Sequence, residues 1–134
     1  MGQIEEAYCS FEISKLLKEK GFDEICYRIY NTQEKELWGT DGIEFQNHQL
    51  DEETITAPTH QMALAWLREE HKIVIQIGIK ITGASYYYQI WDYSIIHPNK
   101  FIGGMIDLRE CAEDFNSYED AVEAALKYSL ENLI

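Results

Sequence analysis

KIVIQIGIKITGASYYYQIWDYSII, residues 72–96, is the stretch whose reading decides the fold. Ile73, Ile75, Ile77, Ile79 and Ile81 occupy every second position, the period of a β-strand with one apolar face. Gly83-Ala84 places glycine at the first central position of a two-residue type II′ turn, so the stretch reads as a hairpin. Setting Thr82 opposite Ser85 pairs Ile81 with Tyr86, Ile79 with Tyr88 and Ile77 with Ile90. The isoleucine face then continues into Tyr86, Tyr88 and Ile90 as one apolar surface.

The other face sets Lys80 against Tyr87, Gly78 against Gln89, Gln76 against Trp91 and Val74 against Tyr93. Read as packing, this aromatic–amide row is a second buried face under a helix, because aromatics are enriched in strands. Read as function, it is a binding or oligomer face, because Tyr and Trp combine a large contact area with a polar handle. Asp92 falls on the isoleucine face near Ile75, which requires a bulge or a solvated strand end.

Working outward, residues 10–20 carry a helical stripe of Phe11, Ile13, Leu16 and Leu17, with Gly21 placed to end the helix. Ile4, Ala7 and Tyr8 extend the same face toward Gln3. Residues 24–30 (EICYRIY) read as a strand, 31–36 (NTQEKE) as a polar turn and Leu37-Trp38 as a short return strand. Gly39 to Glu53 is turn-rich and acidic, and is expected to be a mobile loop. Pro58 is expected at the first position of the next helix, with Ala57 as its N-cap. Met62, Ala63, Trp66 and Leu67 share one face of that helix. Glu69 and Glu70 stand against its macrodipole, so one of them is expected to have a partner. After the hairpin, residues 101–106 (FIGGMI) read as a strand and 107–116 as an irregular link. Ser117 caps a final helix whose inner face is Tyr118, Ala121, Val122, Ala125, Ser129 and Leu133. The expected fold is a single α+β domain over residues 1–134, an antiparallel sheet built on the 72–96 hairpin with helices on one face.

Composition narrows the function. With 24 acidic and 11 basic side chains the formal charge is −13, a field that repels phosphate backbones and argues against general nucleic-acid binding. The acids come in short groups, such as Asp51-Glu52-Glu53 and Glu69-Glu70. These read as a solubilising surface, or as carboxylates displayed in imitation of DNA. Cys9, Cys26 and Cys111 lack CxxC spacing and read as reduced, mostly buried thiols of a cytosolic protein. The N-terminus has no signal-peptide pattern, and no apolar run approaches membrane-spanning length. His48, His60, His71 and His97 have neither HxH nor HExxH spacing, so no metal site is expected. No nucleophile–base set and no cofactor fingerprint is visible, which leaves a non-enzymatic binding protein as the leading reading.

The segments TAPTHQMALAWLREEHKI at 56–73 and FNSYEDAVEAALKYSLENLI at 115–134 resemble a family of small acidic proteins of phages and mobile elements of gut bacteria. The likeness covers these segments and the β region between them, and names no chemistry. It implies an accessory product made in a bacterial cytoplasm. Two binding readings follow. One is a counter-defence sponge that sequesters a nucleotide-derived immune signal, stacking a base on the aromatic row and holding phosphate with arginine. Its candidate residues are Trp66, Arg68, Tyr87, Gln89, Trp91, Tyr93 and Arg109. The other is an acidic inhibitor or DNA mimic that binds a host protein. A homo-oligomer formed through the aromatic face is a further expectation.

Overall fold

The computed structural model describes residues 6–39, 42–80, 85–92, 107–110 and 114–134, with 107–110 described as backbone. The chain is α+β and divides into two compact units, Met1–Ala63 and Leu64–Ile134.

In the first unit, helix α1 spans Phe11–Glu19. Ser10 caps it by accepting a hydrogen bond from the Ile13 amide at 3.2 Å. At its other end Gly21 adopts a φ of +96°, and the Phe22 amide reaches back to the Leu17 carbonyl at 2.9 Å. Leu17 and Phe22, both buried, supply the apolar contact that accompanies this kind of helix end. The helix does not extend toward Gln3: Tyr8 instead forms an antiparallel bridge with Thr59. Strands β1 (Ile29–Asn31), β2 (Leu37–Trp38) and β3 (Thr54–Thr56) form a sheet in the order β2-β1-β3. The strand expected over 24–30 is thus confined to its end, and Cys26 makes a separate bridge with Phe45. The Asn31 side chain accepts from the Gln33 amide at 2.8 Å and shapes the turn between β1 and β2. Against this sheet Tyr30, Ile55 and Ala57 form a core that Phe11 packs on, with the Phe11 and Tyr30 rings edge to face at 5.8 Å.

β3 was not anticipated, and where a mobile loop was expected, residues within 42–53 are tied by hydrogen bonds to distant parts of the chain. Buried Asn47, at the start of a 3₁₀ turn, donates to the Phe22 carbonyl at 2.8 Å and accepts from the Thr56 amide at 2.9 Å. Lys18 donates to the Asp51 and Thr54 carbonyls at 3.0 and 2.9 Å. Helix α2 spans His60–His71, beginning in the first unit and ending in the second. It starts later than expected. The cap is Thr59, whose hydroxyl accepts from Met62 at 3.2 Å, because Ala57 and Pro58 are engaged with Arg28 and Cys9 through the backbone.

In the second unit, β4 (Ile73–Lys80), β5 (Ser85–Asp92) and β6 (Asp107–Glu110) form an antiparallel sheet in that order. The hairpin register differs from the expected one by two residues: Ile79 pairs with Tyr86, Ile77 with Tyr88, Ile75 with Ile90 and Ile73 with Asp92. A slip of two preserves both faces, since side chains alternate with period two. The turn expected at Gly83-Ala84 lies outside the described residues, as does FIGGMI at 101–106. A strand is present at 107–110, within the stretch expected to be an irregular link. Pairing is continuous from Ile73 to Lys80, so Asp92 sits at the strand end without a bulge.

Helix α3 spans Tyr118–Asn132, capped by Ser117, whose hydroxyl accepts from Asp120 at 3.0 Å. It packs on the isoleucine face, where Tyr118 meets Tyr86 with ring centroids 6.5 Å apart and Phe115 meets Tyr88 at 6.0 Å. Its buried residues are Ala121, Val122, Ala125, Leu126, Ser129 and Leu130. Leu126 and Leu130 replace the expected Tyr118 and Leu133 as the large inward side chains, and Tyr118 is exposed. Among the described residues no helix is long and apolar enough to cross a membrane.

Candidate functional site

The aromatic–amide row of the second unit is assembled on β4 and β5. Directly opposed pairs along it are Lys80 with Ser85, Gly78 with Tyr87, Gln76 with Gln89 and Val74 with Trp91. Tyr87 covers Gly78 so closely that a Cβ built there would lie 2.3 Å from its Cζ. The Trp91 indole N–H donates to Gln76 Oε1 at 2.8 Å, a diagonal contact that fixes the ring's orientation. Tyr87, Gln89 and Trp91 are all half-buried. Lys80 is the cation of this row among the described residues, and it is bonded to Asp114 at 2.5 Å.

The remaining candidates stand elsewhere. Trp66 is buried on α2, its ring edge-on to His71 at 4.6 Å. Arg68 lies on the same helix, exposed, with Nε 3.3 Å from Glu69 Oε1, and this is the partner expected for one of the helix-end acids. Pairs this exposed contribute little to stability. Arg109 is in register with Ile90, so it belongs to the isoleucine row and not to the row of Gln89 and Trp91. Tyr93 lies outside the described residues. The structure therefore sets Tyr87, Gln89 and Trp91 in one row, with Arg109 at a register position of the other face.

The first unit exposes large apolar side chains that sequence reasoning did not single out. Ile25, Tyr27, Leu37, Trp38 and Ile43 are exposed, Trp38 by 56%. They come from three segments held together. Cys26 bridges Phe45, the Trp38 and Phe45 rings meet at 6.3 Å, and Gly39 passes against the Tyr27 carbonyl. Gly39 has φ +140°, and a Cβ there would sit 2.4 Å from that carbonyl, so a side chain is excluded. Exposed Glu24, Glu36 and Glu44 each adjoin one of these apolar residues in sequence. Nearby, a cavity of about 240 Å³ is lined by Tyr8, Cys26, Tyr27, Thr59 and Met62, with Glu6 among its walls. Burial pushes the Cys26 thiol up to about 11, so at neutral pH it is a protonated, unreactive group.

A second depression in this unit, of about 330 Å³, contains Asp23 and His48. Asp23 accepts from the His48 amide at 2.8 Å and contacts His48 Nδ1 at 2.7 Å. The amide hydrogen bond is the main cause that holds the Asp23 carboxyl below its ordinary range, against the opposing effect of burial. An oriented imidazole of this kind can act as a base. The other groups lining the depression are Lys18, committed to two carbonyls, Gly21, Phe22 and Asn47, and none is a hydroxyl or thiol nucleophile. The 25-residue separation of Asp23 and His48 left no local sequence signal. Among the described residues no group of three or more His, Cys, Asp or Glu is placed to hold a metal ion.

No family model, curated protein or solved structure matches this chain.

Proposed function

We propose that this chain is a non-enzymatic binding protein of a phage or mobile element that acts in the bacterial cytoplasm by capturing a basic host protein. The observation that carries this reading is the exposed apolar set Ile25, Tyr27, Leu37, Trp38 and Ile43, interleaved with Glu24, Glu36 and Glu44. Large exposed apolar side chains rimmed by charge are the usual composition of a protein-binding surface. Trp38 is of the residue type most often found at the energetic centre of such contacts. A net charge of −13 steers a cationic partner toward the chain and sets the salt dependence of capture. The test is retention of basic bacterial proteins on the immobilised chain over a salt series, beside the Trp38→Ser variant. Retention at low salt that is lost at high salt and lost with Trp38→Ser is expected. Equal retention by the variant, or none by either, refutes the reading.

A small nucleotide-like ligand is the second reading, favoured by the placement of Tyr87, Gln89 and Trp91 in one half-buried row. Its test is titration with cyclic nucleotides and cyclic ADP-ribose isomers followed by tryptophan fluorescence. No saturable change at micromolar ligand removes it.

A further inference from the structure

Among the described residues β4 stands at the edge of its sheet, and its 8 positions pair with β5 alone. Exposed sheet edges are ordinarily blunted by shortness, proline, bulges or several charges. β4 is long and regularly paired, contains no proline, and carries a single charge, at Lys80. Ile79 on this strand is 63% exposed. The sequence around it is equally unusual for this chain. From Ile73 to Trp91 there is no Asp or Glu, although the chain has 24 of them. Two copies of so acidic a chain repel wherever their carboxylates approach. The hairpin is a segment with no carboxylates of its own over Ile73 to Trp91, so two copies can meet along it with less of that repulsion.

We propose that β4 pairs antiparallel with β4 of a second copy, joining two three-stranded sheets into one continuous sheet. A twofold axis perpendicular to the sheet through Ile77 is self-complementary. It sets Ile75 opposite Ile79 of the second copy, Gln76 opposite Gly78 and Val74 opposite Lys80, so isoleucine rows continue across the junction. An axis through Gln76 also preserves the faces, but it sets Lys72 opposite Lys80, and like charges directly opposed are unfavourable. This interface lies on the second unit and is independent of the surface proposed to capture a host protein.

The experiment is sedimentation equilibrium of the wild type and Ile79→Glu over a range of concentrations, with amide exchange measured in Ile73–Lys80. Ile79 is exposed, so the variant keeps its fold, which a circular-dichroism melt checks. The wild type is expected to reach twice the mass of one chain. Ile79→Glu, which brings carboxylates into the junction, is expected to weaken association by at least about tenfold. Exchange in Ile73–Lys80 is expected to slow as wild-type concentration rises. A wild type that stays monomeric, a dimer indifferent to Ile79→Glu, or β4 exchange independent of concentration overturns the proposal.

Discussion

Gly78→Ala tests the packing of the hairpin's aromatic row through a change of sign. Removing a glycine from a strand ordinarily stabilises it by about 0.5–1 kcal/mol, because the unfolded chain loses freedom. Here the new methyl would lie 2.3 Å from Tyr87 Cζ and 2.5 Å from its Cε1 and Oη. Favourable carbon contacts begin near 3.5 Å, so the ring must withdraw by roughly 1.2 Å or swing off the strand. Overpacking of this kind costs about 1–3 kcal/mol, and the lower half of that range applies because a side-chain ring can move more easily than backbone. The net expectation is destabilisation by about 1 kcal/mol. In a Tyr87→Ala background the obstacle is gone, and the same substitution should stabilise by about 0.5 kcal/mol. The coupling between the two sites is then about 1.5 kcal/mol. Urea denaturation of the four proteins, followed by circular dichroism, supplies the cycle. Stabilisation by Gly78→Ala in both backgrounds would show that Tyr87 does not lie over Gly78, and the reasoning would fall.

Other perturbations probe the first unit. Asn47→Ala leaves the Phe22 carbonyl and the Thr56 amide without the partners they now have at 2.8 and 2.9 Å. A loss of about 2–3 kcal/mol in urea denaturation is expected, and a loss below about 0.5 kcal/mol would contradict the bridging role. Because the folded-state pKa of Asp23 is depressed, its contribution to stability is present above the unfolded value of about 3.9 and is lost as pH falls through the folded value. Asp23→Asn should therefore lower stability at neutral pH, with the gap from wild type narrowing in acid; a gap independent of pH counts against the pair.

Local order was legible in the sequence wherever neighbours along the chain decide it. Gly21 marked the end of α1, since that position needs only a residue that tolerates positive φ, whereas the Ser10 cap was not read from the sequence. Ser117 marked the start of α3, since an N-cap needs only a hydroxyl in reach of the first turn. The two faces of the hairpin followed from alternation alone. The candidate site was legible in part: the row of Tyr87, Gln89 and Trp91 is a consequence of period two, and it survived an error in the register. The exposed set around Trp38 was not, because it depends on which of several short apolar segments the core leaves outside. Nor was the separation of Arg109 from that row, which depends on where β6 begins.

What the sequence by itself determined, then, is the α+β class, the end of α1, the start of α3 and the parity of the described hairpin side chains. Tertiary structure alone decided the hairpin register, because a two-residue slip leaves the alternation pattern unchanged and only the cross-strand fit, such as Tyr87 over Gly78, distinguishes the alternatives. It also decided the existence of β3 and β6 and the start of α2 at Thr59. Hydrogen bonds that join residues distant in sequence, Asn47 to Phe22, Ala57 to Arg28 and Cys9 to Pro58 among them, hold these elements of the first unit, and no local pattern encodes such pairings.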